Sequence, residues 1–155
     1  MLRLPYWTVS PDGNRAALAL SGYLKDSDFD ATLLDLLYLR VSQINGCTFC
    51  VDMHSRDLRR RGVEDRKLDS LVVWREAPFF SERERAALAW AEALTHLPET
   101  GAPDDVYEEL RNYFADREIV DLTMGIASMN MLNRLAVGFR RGPAVPAAAH
   151  AAAHA

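Results

Sequence analysis

The chain has 155 residues, 49% of them hydrophobic and 26% charged, with a formal net charge of −4 and two cysteines. That length suits a single domain with a sizeable core. The acidic balance argues against general nucleic-acid binding, and two cysteines are too few for a disulfide-stapled secreted scaffold. The opening MLRLPYWTVSPDG lacks the apolar run of a secretory leader, and the most apolar stretch, 122–139, is broken by Asn130, Asn133 and Arg134. A cytoplasmic protein with no membrane association is expected.

Ser10-Pro11 reads as an N-cap with proline at N1. Ala16, Ala17, Leu20, Tyr23 and Leu24 follow helical spacing to about Lys25. A second helix is predicted over 29–45, with Leu33, Leu36, Leu37, Val41 and Ile44 as its apolar stripe. Asp35 lies off that stripe. It reads as a solvated position unless the chain folds back. Should the next helix run antiparallel after Gly46, both Asp35 and His54 lie roughly 10–15 Å from the turn, and the carboxylate approaches the imidazole.

Asn45-Gly46 breaks the helix, and Cys47, Cys50 and His54 follow on one face of the next, predicted over 47–61. A thiol in the first turn lies near unpaired N–H groups and the positive end of the helix, which favour thiolate. A histidine one turn on can accept or return a proton. Three readings follow: a redox pair able to close a disulfide, a structural pair of buried cysteines, or three zinc ligands. The last lacks a second Cys/His cluster to complete a tetrahedral site. Arg56, Arg59, Arg60 and Arg61 crowd the end of this helix before Gly62 and read as a solvated, dipole-matched terminus.

A short helix over 64–74 is predicted with Leu68, Leu71 and Val72 inward. Ser81 and Glu84 form a capping box for a helix carrying Ala87, Leu88, Ala91 and Leu94. On it, Trp90 and Glu92 are assigned to packing and to a buried or interface polar contact. Pro103-Asp104-Asp105 opens a helix with Val106, Leu110 and Phe114 inward. The helix over 116–140 is apolar nearly all round, so it is expected at the centre of the core or shared with another subunit. Its Asn130, Asn133 and Arg134 need polar partners. An Ala-rich tail over 143–155, carrying His150 and His154, is expected to be mobile. No strand pattern is present. The expected architecture is all-α: one helical domain over 1–142 with about six or seven helices.

The stretch LLDLLYLRVSQINGCTFCVDMHSRDLRRRG resembles the core motif of the alkylhydroperoxidase D-like branch of the carboxymuconolactone decarboxylase superfamily. The likeness continues through WREAPFFSERERAALAWAEALT and MNMLNRLAVGFR, covering roughly residues 6–140. It implies an all-α fold that builds trimers or hexamers, and a thiol peroxidase. By motif, Cys50 attacks the peroxide, Cys47 resolves it, and His54 relays protons. The family's glutamate falls on Asp35, one methylene shorter, and Phe49 stands where the best-known members carry histidine. The decarboxylase branch typically lacks this cysteine pair, so lactone decarboxylation is not expected. The implied partners are a hydroperoxide and an external dithiol, with no flavin, haem or metal required. A non-enzymatic redox sensor and a general disulfide reductase remain as rivals on the same residues.

Overall fold

A computed structural model describes residues 1–144. The expected tail falls almost wholly on 145–155, outside the described residues. Among those described there are nine α-helices, one 3-10 turn and no strand: α1 Tyr6–Val9, α2 Pro11–Asp26, α3 Ala31–Ile44, α4 Thr48–Arg60, α5 Asp65–Asp69 running into the 3-10 turn Ser70–Val73, α6 Glu82–Thr95, α7 Leu97–Thr100, α8 Asp104–Arg111 and α9 Asp116–Gly138. Six of these have eight residues or more and answer to predicted helices; the short α5 stands where a seventh was predicted, α1 precedes α2, and α7 links α6 to α8. None is long and apolar enough to cross a membrane.

The centre of the molecule is α3, which packs against α4, α6 and α9. Asp30 caps it, its carboxylate accepting the N–H of Thr32 at 2.9 Å and of Leu33 at 3.0 Å. Leucines 33, 34, 36, 37 and 39, with Tyr38 and Val41, bury almost its whole circumference. The sequence left α9 two places, the centre of the core or contact with another subunit. It buries one side, through Ile119, Leu122, Ile126 and Met129, and turns Val120, Met124, Met131 and Val137 outward, so it is not the central helix.

The 64–74 segment departs from the expected single helix. Beyond Asp69 the chain tightens to a 3-10 turn, and three residues per turn put Leu68, Leu71 and Trp74 on one buried line. Val72, expected inward, is therefore exposed. The α6 capping box forms as predicted, Ser81 Oγ accepting from Glu84 N at 3.2 Å and Glu84 Oε2 from Ser81 N at 2.8 Å. Ser10 occupies the α2 N-cap but makes no side-chain capping bond. Glu92 of α6 forms a half-buried polar knot. It accepts from Arg40 Nε at 2.7 Å and Trp74 Nε1 at 2.9 Å, and pairs with Arg75.

The corner between α3 and α4 positions the functional residues. Gly46 adopts φ +66°, and a Cβ there would meet no atom within 4 Å, so glycine is required for conformation rather than for space. The reversal is closed by Cys47 N donating to Ser42 O at 3.0 Å. Asn45 beside it donates through Nδ2 to the side-chain oxygens of Asn130 at 2.9 Å and Asn133 at 3.0 Å, and Asn133 donates to Ser42 Oγ at 3.0 Å. Two of the polar residues that interrupt α9, Asn130 and Asn133, are thus the pins that hold this corner to it.

Candidate active site

Cys47 is the N-cap of α4, and its sulfur accepts the N–H of Cys50 at 3.3 Å. The two sulfurs are joined in a disulfide, with Cα atoms 5.4 Å apart. Both are buried, and Ala136 of α9 packs against them with Phe49 alongside. Cys50 nevertheless lines a cavity of about 360 Å3 bounded by α1, α2, α4 and α9. Cys47 lines a separate cavity of about 230 Å3 with Gly46, Thr48, Val137 and Arg140. The two cysteines therefore line different cavities.

His54 and Asp35, placed near each other on the condition that α4 folds back, do meet. His54 Nδ1 lies 3.3 Å from Asp35 Oδ1, with the imidazole 5% and the aspartate 7% exposed. The approach is close enough for an ion pair but off the line of a straight hydrogen bond, so neither ring nitrogen has a hydrogen-bond partner in the protein. Nδ1 is oriented by charge, and Nε2 is left free to exchange a proton.

The second oxygen of Asp35 accepts from Arg61 Nε at 3.1 Å. This corrects the expectation for the basic cluster at the end of α4. Arg56, Arg59 and Arg60 do pair at the surface, with Asp52, Asp65 and Asp57, but Arg61 reaches inward. The signal was present in the spacing: Cys50, His54, Leu58 and Arg61 form one stripe at steps of four, four and three, and side chains on a helix point back toward its N-terminus. Burial opposes ionisation of Asp35, but His54 and Arg61 outweigh it and hold the carboxyl below its ordinary range. Tyr38, one turn along α3, stands with its ring 5.3 Å from that of His54 and its hydroxyl unpartnered. Burial, with the Asp35 charge nearby, raises this phenol, which stays protonated at neutral pH.

Among the described residues no group of three or more His, Cys, Asp and Glu side chains is placed to hold a metal. The arrangement provides a disulfide-joined cysteine pair at a helix start, a buried imidazole one turn on, a carboxylate shared by that imidazole and an arginine, and a largely apolar cavity beside Cys50.

Comparison with known proteins bears on the same stretch. The profile of the carboxymuconolactone decarboxylase family matches residues 11–93. The uncharacterised protein YdfG of Bacillus subtilis is 35% identical over 135 residues, spanning 87% of this chain and 92% of that protein. A solved structure from Agrobacterium tumefaciens, of unknown function and named as a candidate antioxidant defence protein AhpD, superposes with a TM-score of 0.92 at 44% identity, covering 94% of this chain and all of that one. A debrominase shares the fold at 24% identity and TM-score 0.77, over 93% of this chain and 76% of its own.

Proposed function

The chain belongs to the carboxymuconolactone decarboxylase family, in its alkylhydroperoxidase D-like branch, and from that premise we propose that it is a thiol peroxidase working through Cys47 and Cys50. The observation that carries this reading is the asymmetry of the pair. Cys50 lines the larger cavity with the imidazole of His54 one turn below it, whereas Cys47 sits at the helix cap on the other opening.

In the reduced protein, the Cys50 thiolate attacks the terminal oxygen of a hydroperoxide. The O–O bond breaks, an alkoxide leaves, and His54 returns the proton that makes it an alcohol. Cys50 is then a sulfenic acid. The Cys47 thiolate attacks its sulfur, hydroxide departs and takes up the proton Cys47 gave up, leaving as water, and the disulfide forms. An external dithiol reduces that bond by exchange, becoming a disulfide itself and restoring both thiols. Asp35, fixed by Arg61, orients the imidazole and balances its charge when it is protonated. The same reading makes the protein a homo-oligomer, a trimer or hexamer. It is supported by the outward residues Val120, Met124, Ala127 and Met131 of α9, spaced in steps of four, three and four.

The test is consumption of cumene hydroperoxide with dithiothreitol, dihydrolipoamide or thioredoxin as reductant. The wild type should turn over many equivalents. Cys50→Ser should consume none, and prereduced Cys47→Ser with the reductant removed should stop at one equivalent with a trapped sulfenic acid. A wild type that oxidises once and never recycles with any reductant would be a sensor. One that reduces disulfides without peroxide would be a disulfide reductase.

A further inference from the structure

The cavity beside Cys50 has a cationic wall that the thiol chemistry does not use. Just past α9, Arg141 is anchored by its backbone N–H, which donates to Ala136 O at 2.8 Å. Its guanidinium lies 3.8 Å from the centroid of the Phe49 ring and 4.6 Å from that of Trp7, and it donates to the Tyr6 hydroxyl at 3.2 Å. Aromatic faces hold a cation but do not neutralise it, and they accept no hydrogen bond in the guanidinium plane. Among the described residues no Asp or Glu pairs with Arg141, although most of the other arginines of the chain have such a partner. The rest of the lining is largely apolar: Leu18, Met53, Met129, Leu132 and Ala136. A cavity of this volume, apolar with one fixed charge at its wall, has the make-up of a small-molecule site.

We propose that this cavity binds apolar organic acids, with Arg141 as the residue that selects for the carboxylate, so that the hydroperoxide reduced in turnover is one carrying a carboxylate group. Only the word hydroperoxide rests on the thiol peroxidase reading; the acid site stands on the geometry of Arg141. The carboxylate is a spectator in O–O cleavage. It fixes the substrate at one end while the apolar body lies along the methionine and leucine side chains toward Cys50.

The binding test uses the oxidised wild type and two probes of the same shape, 4-isopropylbenzoate and 4-isopropylbenzamide, titrated by calorimetry. The acid should bind about tenfold more tightly than the amide, the effect of one charge-assisted contact at a partly solvated site. Arg141→Gln should bring the two affinities together, and Arg141→Lys should restore part of the preference. Salt at about 0.5 M should weaken the acid and leave the amide unchanged. Because the salt arm needs no variant, it decides the matter even if Arg141→Gln fails to fold. Equal affinities in the wild type, no acid binding at about 10 mM, salt-insensitive acid binding, or a preference that survives in folded Arg141→Gln would each overturn the proposal. Kinetics then separate the two readings. Cumene hydroperoxide and its 4-carboxylate should show the same ratio in kcat/KM. Acid preference in binding without any peroxide consumption removes the peroxidase and keeps the acid site. Peroxide consumption without acid preference does the reverse.

Discussion

Replacing Asp35 by asparagine should slow the attack of Cys50 by about thirtyfold. The side chain keeps its shape, so the change removes charge and little else. A full carboxylate charge 3.3 Å from an imidazolium is worth about 5 kcal/mol at an effective dielectric near 20. Most of that is offset by the cost of burying the carboxylate, and part of its charge is already engaged by Arg61 at 3.1 Å. What survives is at the low end of the coupling between close charge pairs, about 2 kcal/mol, which converts to the thirtyfold figure. The assay is stopped-flow peroxide reduction by the prereduced protein, with iodoacetamide trapping and intact mass to follow each thiol across pH. His54→Ala should lose more than Asp35→Asn, because the imidazole itself is gone. Asp35→Glu should retain activity within a few-fold: its longer arm must fit a buried position, a strain of about 1–3 kcal/mol on stability, but the carboxylate can still reach His54. All variants should keep the helical circular dichroism of the wild type. If Asp35→Asn and His54→Ala both react at the wild-type rate over the whole pH range, the reasoning fails. The thiols would then depend on the start of α4 alone.

Further outcomes follow from the same contacts. Glu92→Gln removes the charge that ties Arg40, Arg75 and Trp74 together and should cost about 3 kcal/mol. That corresponds to a fall in Tm of about 8 °C, and a Tm within about 2 °C of the wild type would show the knot to be energetically idle. Because folding lowers the Asp35 carboxyl below its ordinary 3.8, its ionisation stabilises the fold at every pH above that value. The stability difference between wild type and Asp35→Asn should therefore shrink as pH falls from about 5 through the folded-state value. A difference that persists unchanged into stronger acid would contradict the sign. On α9, Met124→Lys with Met131→Glu should turn an oligomer into monomers by light scattering, without loss of helix; a wild type that is already monomeric would dispose of the oligomer.

Much of the site was legible because it is local. The Cys47, Cys50 and His54 face needs only helical spacing and a glycine break, and Asp35 needs only the fold-back that Gly46 permits. Arg61 was misread because charge clustering at a helix end has an ordinary explanation, and its partner lies 26 residues away on another helix. Arg141 was passed over for a similar reason. Its contacts are with Tyr6 and Trp7, at the opposite end of the chain, and periodicity carries no information about that pairing. The adjacent aromatics Tyr6 and Trp7 in the opening segment were the available clue. Which helix lies at the centre was not legible, because counting apolar residues favours length. The shorter α3 outranks α9 because its few polar residues, Asp35 and Ser42 among them, are themselves buried against neighbours.

The tight corner at Gly46 also bears on how the protein comes into being. Cysteines, imidazole, carboxylate and Arg61 all belong to one helical hairpin, so the reacting groups can meet as soon as α3 and α4 zip together, at a small cost in loop closure. The remaining helices then enclose a centre that is already assembled. On a ribosome the hairpin emerges well before α9, leaving the nascent thiols uncovered until Ala136 arrives to pack over them. The interval between those two events is a window of oxidative exposure in the life of each new chain, and its length is set by translation rather than by chemistry.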